Sequence, residues 1–196
     1  MMRGPEKRFD RDAVLGKAMD LFWQQGYAAT GMTQLLNHMG IGRQSLYDTF
    51  GDKKSLYLAA LERYFASLGR QWEMQLDAPG SPLGNLKNLF RGMMAVAEES
   101  GFCGCFIGNA MAESGEGDEE VRRLLGRALG RMEAMMTGVL RRAQEMGELS
   151  PRARPRDLAR LLVVTTQGAA LLSKLEPHRK HAEETLRVAF RVLETS

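Results

Sequence analysis

The sequence predicts an all-α protein of about nine helices, and three observations carry that prediction. Apolar residues recur at three- and four-residue steps along nearly the whole chain, with no sustained strand-like alternation. Residues that cap or break helices fall between those periodic stretches. The 196 residues, 44% hydrophobic and 26% charged, suit a globular chain that buries a core without disulfide staples.

The elements follow in order. Asp10 or Asp12 caps a first helix, in which Val14, Leu15, Ala18, Met19 and Phe22 share one face and Gly26 ends the run. Thr30 opens a short second helix with Leu35, Leu36 and Met39 on its apolar side, and Gly40 stops it. A third short helix spans Arg43 to Phe50. Asp52 then caps a long fourth helix striped by Tyr57, Leu61, Tyr64, Phe65, Leu68, Trp72 and Leu76. Ser81 and Pro82 open a fifth, with Leu86, Leu89, Phe90, Met93 and Met94 facing inward. Residues 101 to 114 form an unusual segment, glycine-rich yet apolar, followed by a loop at Gly115-Glu116-Gly117. A long helix runs from Asp118 to Met146. Pro151 and Pro155 precede a helix over 157–174 marked by Leu158, Leu161, Leu162, Thr165, Ala169 and Leu172, and Pro177 starts the last one over 178–194. The division is residues 1–54, three closely spaced helices, and residues 55–196, a longer helical bundle.

Composition excludes several classes. No window approaches the ~18 uncharged apolar residues of a membrane span, so no membrane partner is expected. The charged start, Met1 to Arg11, lacks the apolar core of a secretory signal. Two cysteines, Cys103 and Cys105, make no disulfide scaffold and suit a reducing compartment, so a cytoplasmic location is expected. The net charge of +3 permits nucleic-acid binding without arguing for it. Residues 1–58 carry eight Lys/Arg against six Asp/Glu. No catalytic constellation, cofactor motif or metal-ligand set stands out. His178 and His181 are read as solvated, and His38 as a surface residue. Arg122, Arg123, Arg127, Arg131, Arg141 and Arg142 are read as a solvated helix face.

Residues 30 to 53 carry the functional signal. A short helix, a turn at Gly40 and a second short helix form a helix-turn-helix, with Ile41 and Leu46 filling the space between the helices. The second helix presents Arg43, Gln44, Ser45, Asp48 and Thr49. Arg and Gln are the side chains that match guanine and adenine edges in a major groove.

Phe22-x-x-x-Gly26-Tyr27, Ala29-Thr30, Leu35-Leu36-x-x-Met39-Gly40-Ile41 and Ser45-Leu46-Tyr47-x-x-Phe50-Gly51-Asp52-Lys53-x-x-Leu56 together resemble the TetR family of bacterial transcriptional repressors. The resemblance covers roughly residues 8 to 60. It implies that Thr30, Tyr47 and Lys53 contact phosphates, while Arg43, Gln44 and Ser45 approach bases or adjacent phosphates. Gly42 departs from the family's frequent Ser, which removes one cap from the recognition helix. Asp48 is acidic where basic or aromatic residues are common. It reads a cytosine or repels the backbone. The resemblance further implies a homodimer built from the last two long helices, with Gly168, Ala169 and Ala170 allowing close approach. It also implies double-stranded operator DNA as partner and release by an effector. A transcriptional activator, or a DNA-binding protein without small-molecule control, is the alternative.

The second domain suggests what that effector is. The chain has 13 Met. Met94, Met132 and Met136, with Phe65, Trp72, Phe102 and Phe106, lie on inward faces and line a pocket for a hydrophobic small molecule or form plain core. Gly101-Phe102-Cys103-Gly104-Cys105-Phe106-Ile107-Gly108-Asn109 resembles a segment found in oxidant- and electrophile-responsive TetR members. That likeness implies Cys105 as a sensing thiol at a helix start, Cys103 as its resolving partner and Asn109 as part of the motif. Buried structural cysteines remain the competing reading.

Overall fold

The computed structural model describes residues 9–99, 103–114, 118–176 and 179–195. Gly101, Phe102, Gly115, Glu116, Gly117, Pro177 and His178 lie outside them. Among the described residues there are nine helices and no strand: α1 (Arg11–Gln25), α2 (Met32–Met39), α3 (Arg43–Phe50), α4 (Lys53–Leu76), α5 (Pro82–Glu99), α6 (Phe106–Glu113), α7 (Glu119–Glu145), α8 (Pro155–Leu172) and α9 (Arg179–Thr195).

Local chemistry sets most boundaries. Asp10 accepts from the Asp12 N–H and starts α1. Asp52 accepts from Ser55 N at 2.7 Å and starts α4. Ser81 Oγ accepts from Gly84 N at the head of α5, and Asp118 accepts from Val121 N at the head of α7. Gly40 ends α2 in the left-handed region, with φ 72° and ψ 31°. One boundary differs from expectation. Thr30 does not open α2, which begins at Met32 after an N-cap of Gly31. Thr30 is fully buried, and its hydroxyl donates to the Gly26 carbonyl. The loop folds back on the end of α1, and α2 starts without a side-chain cap.

A continuous apolar core runs from α1 to α9. Val14, Leu15, Ala18, Leu21 and Phe22 of α1 pack on α2 and α4. Tyr57 of α4 meets Phe22 edge-on at 5.1 Å and Phe106 of α6 at 5.9 Å. The first three helices and the larger bundle therefore share core side chains. In the bundle, α4 packs on α5 and α7, α7 on α8, and α8 on α9.

Two sequence expectations change here. The arginines of α7 do not form a purely solvated face. Arg131 pairs with Glu73 at 2.6 Å. Arg142 reaches Asp77 at 2.8 Å and the Leu76 carbonyl at 3.0 Å, strapping α7 to the end of α4. Such exposed pairs each contribute ~0–1 kcal/mol, so they set register more than stability. The inward face of α8 is Ala159, Leu162, Val163, Thr166 and Ala169, whereas Leu161 and Leu172 are exposed.

Candidate nucleic-acid interface and effector cavity

The turn at Gly40-Ile41-Gly42 holds α2 and α3 across a small core of Leu35, Met39, Leu46 and Phe50, with Ile41 packed against it. Arg11 of α1 lies over the Phe50 ring at 5.3 Å and ties α3 to the first helix. Gly42 is the N-cap of α3 and gives it no side-chain hydrogen bond. This packing buries one side of α3 and turns the other outward. Arg43, Gln44, Tyr47 and Asp48 are exposed, and Tyr47 keeps 45% of its surface. Ser45 is half-buried. Gln44 donates from Nε2 to Asp48 Oδ1 at 2.9 Å, so the acidic residue orients the amide one turn before it.

Lys53 sits at the first turn of α4, half-buried, with Nζ 4.4 Å over the Tyr27 ring. Burial lowers its pKa, and Glu113 acts in the opposite direction. The Tyr27 ring in turn rests on Tyr57 at 4.8 Å. A tilted pair of tyrosine rings thus carries a cation at the start of α4.

Two of the residues read as DNA contacts are placed otherwise. Thr30 is enclosed, as described above, and offers no hydroxyl to a phosphate. Thr49 points its Oγ1 inward, where it is buried with no hydrogen-bond partner among the described residues. It lies two positions after Tyr47, on the packed side of a helix with 3.6 residues per turn.

The second feature is an apolar cavity of about 400 Å³ between α4, α5, α7 and α8. Trp72, Met94, Met132 and Cys105 stand on its wall, with Tyr64, Phe90, Met93 and Thr166. Trp23 of α1 is also on the wall. Sequence reasoning placed neither Trp23 nor Tyr64 at a site. The signal was an aromatic with one polar handle beside the core stripe, which needs a partner when buried.

Five residues read as pocket or sensor are off the wall. Phe106 and Met136 are fully enclosed core, since α6 and α7 turn them toward Tyr57 and the bundle axis. Phe65 lies one residue past Tyr64 and meets its ring edge-on at 6.4 Å from outside the cavity. Asn109 is spent on structure: its Nδ2 donates to the Cys103 carbonyl at 2.8 Å, and its Oδ1 accepts from Lys174 at 3.1 Å. The first of these bonds ties down the Cys103 backbone, Cys103 is absent from the cavity wall, and neither cysteine forms a disulfide.

Cys105 is the N-cap residue of α6. Its Sγ lies 3.9 Å from the Tyr64 hydroxyl, within reach of a weak hydrogen bond. Burial raises the Tyr64 pKa well above its ordinary value, and Cys105 pushes it further in the same direction. Tyr64 therefore stays a neutral phenol beside the sulfur.

These two features, an exposed recognition helix and a helical bundle with an internal cavity, agree with the sequence comparisons. Residues 14–60 match bacterial regulatory proteins of the tetR family, and residues 82–189 match the tetracyclin repressor-like C-terminal domain. The chain belongs to the tetR family of bacterial regulators, whose members are DNA-binding proteins rather than enzymes. It is 35% identical over 148 residues to YezE of Bacillus subtilis (strain 168), an uncharacterized HTH-type transcriptional regulator, covering 75% of this chain and 76% of that protein. It is 30% identical over 192 residues to ComR of Escherichia coli (strain K12), an HTH-type transcriptional repressor, covering 95% and 91%. Among solved structures it is similar to a cysteine-substituted CifR complexed with a 26 bp operator duplex. The TM-score is 0.80 and the identity 28%, over 97% of this chain and 98% of that one.

Proposed function

We propose that the chain is a homodimeric transcriptional repressor that holds a palindromic operator and releases it when an apolar or thiol-reactive effector occupies the cavity. The observation that carries the effector half is Cys105, a free thiol on the wall of an apolar cavity of about 400 Å³ inside the regulatory bundle. The likeness to ComR, a repressor, and to operator-bound CifR supports the DNA half.

In this reading α3 enters the major groove. Arg43 and Gln44 meet base edges, and the Asp48 carboxylate holds the Gln44 amide in one orientation. The Tyr47 hydroxyl and the Lys53 ammonium take phosphates and fix register. A second copy supplies the other α3, so the two helices fall about 34–36 Å apart, or a multiple of that. The surface for that copy is on α8 and α9, where Leu161, Val164, Leu171, Val188 and Val192 are exposed, with Leu175 just past the end of α8. Gly168 lies in the same row on α8, with nothing near the position of an added Cβ. Ala169 and Ala170 instead face the cavity, so close approach between copies rests on Gly168. An effector shifts the equilibrium only by its differential affinity for DNA-competent and DNA-incompetent states.

Fluorescence anisotropy on a duplex from the gene's upstream region tests this. The wild type and Cys105→Ser are titrated with and without iodoacetamide. Tight binding that falls steeply with salt is expected, with release by the reagent only in the wild type. Binding indifferent to the reagent leaves a repressor with structural cysteines. Failure to retain any duplex at low salt removes the DNA-binding role.

A further inference from the structure

Trp23 belongs to α1, within the DNA-binding unit, yet its ring forms part of the cavity wall. Its indole Nε1–H donates to the Gly104 carbonyl at 2.9 Å, across 81 positions of sequence. Tyr64 stands edge-on to the same indole, with centroids 5.3 Å apart and planes at 65°, and the Tyr64 hydroxyl faces Cys105 Sγ. The sulfur is thus flanked by two groups, the Gly104 carbonyl segment and the Tyr64 ring, and both bear on Trp23. At the far end of α6, the Glu113 carboxylate accepts the Tyr27 N–H at 2.7 Å. A Cβ added at Gly26 would collide with that same carboxylate. Helix α6 is about 12 Å long; the segment just before it bonds to Trp23 near the end of α1, and its last residue bonds to Tyr27 just past that end. It starts at the cavity thiol and finishes under the ring that carries Lys53.

We propose that Trp23 is the positioning residue through which the DNA-binding unit senses the cavity, its indole–Gly104 bond coupling the state of Cys105 to the seat of α1. This deepens the function proposed above and rests on it. With iodoacetamide as the probe, the Cys105 sulfur bonds to the reagent's methylene carbon. The carbon–iodine bond breaks, iodide leaves with the electron pair, and the thiol proton passes to solvent. The sulfur loses its S–H, and the added acetamide enters the cavity beside the Tyr64 hydroxyl, which lies 3.9 Å from Sγ, so the coupling requires that it displace the Tyr64 ring or the Gly104 segment. Either movement breaks or tilts the contact with Trp23. α1 then shifts with α2 and α3, which are packed on it or fastened to it through Arg11 and Phe50.

The test compares full-length wild type and Trp23→Phe, which keeps an aromatic ring and loses the donor. Operator affinity is measured by anisotropy before and after alkylation, with the modified thiol located by mass spectrometry. The expected ratio of affinities is tenfold or more in the wild type and under threefold in Trp23→Phe. In parallel, the full chain is labelled with 5-fluorotryptophan, and Trp72→Phe assigns the two resonances. The Trp23 resonance is expected to move on alkylation of Cys105 and to move again on addition of operator. Equal release of wild type and Trp23→Phe overturns the role of Trp23 and leaves the effector reading standing. A wild type alkylated at Cys105 that keeps full operator affinity overturns both. If Trp23→Phe fails to fold, the fluorine arm decides. A Trp23 resonance that moves in both steps supports the coupling, and one indifferent to both overturns it.

Discussion

Tyr47 and Thr49 stand two positions apart on α3 and face opposite environments. Tyr47 keeps 45% of its surface, while the Thr49 hydroxyl is buried without a hydrogen bond among the described residues. A buried hydroxyl without a partner costs about 1–3 kcal/mol of desolvation, and an isosteric apolar group removes that cost. Thr49→Val is therefore expected to raise the denaturant midpoint by roughly 1 kcal/mol of stability and to leave operator anisotropy alone. Tyr47→Phe is expected to do the reverse. It leaves the midpoint in place and weakens binding to every duplex alike, because a phosphate contact carries no sequence information. Gln44→Ala relaxes choice at one base step, worth about 1–3 kcal/mol of discrimination, measured as the affinity ratio for operators differing at that step. A variant set in which Tyr47→Phe changed base preference and Gln44→Ala weakened all duplexes equally would reverse the assignment.

At the scale of elements, two carboxylates fasten helices, Asp52 exposed and Glu133 half-buried, and both titrate below their ordinary values. The Ser55 backbone N–H and hydroxyl hold the Asp52 carboxyl down at the start of α4. The Arg156 hydrogen bond and the nearby Arg160 do the same for Glu133, which joins α7 to α8. Their folded pKa values are depressed, so their contribution is complete above the ordinary carboxylate range. It fades as pH falls through that range and is gone below the folded values. The difference in denaturant midpoint between wild type and Asp52→Asn is accordingly expected to be largest near neutral pH and to vanish in acid. Asp52 also caps the turn that carries Lys53. Anisotropy at neutral pH should show weaker DNA binding for Asp52→Ala, which loses the cap that Asn would keep, since a frayed first turn no longer holds that ammonium over Tyr27.

At the scale of the whole molecule, the proposed dimer rests on the apolar row that α8 presents. Leu161, Val164 and Leu171 recur at helical spacing with Gly168 among them, Leu175 follows just past the end of α8, and Val188 and Val192 continue the exposed apolar residues on α9. Burying one such leucine is worth about 1.5–3 kcal/mol. Placing a charge there penalises each copy of the contact. Leu171→Glu is expected to convert a dimer to a monomer by size-exclusion chromatography with light scattering. Operator affinity should fall by orders of magnitude, because two half-sites are no longer held together. Leu46→Ala acts differently. It opens the core between α2 and α3 and is expected to cost about 2–5 kcal/mol, read as a lowered denaturant midpoint with the dimer intact.

The sequence by itself determined what local chemistry encodes. Asp52, Ser81, Pro82 and Asp118 announce helix starts, Gly26 and Gly40 announce stops, and the helix-turn-helix follows from residues within one short stretch. Hydrogen bonds and periodicity of that kind act over a few positions, so they are legible in order. Where a residue type has two uses, the sequence misleads. Thr30 is a good helix cap, yet its hydroxyl turned back to Gly26. Leu161 and Leu172 share the apolar character of core leucines, yet they face outward, because periodicity marks an apolar face without saying what covers it. Only the tertiary structure decided which side chains enclose the cavity. Tyr64 meets Cys105 across 41 positions and Trp23 meets Gly104 across 81. Contacts at those separations depend on how helices cross, and the crossing is set by the summed packing of the whole core rather than by any segment of it.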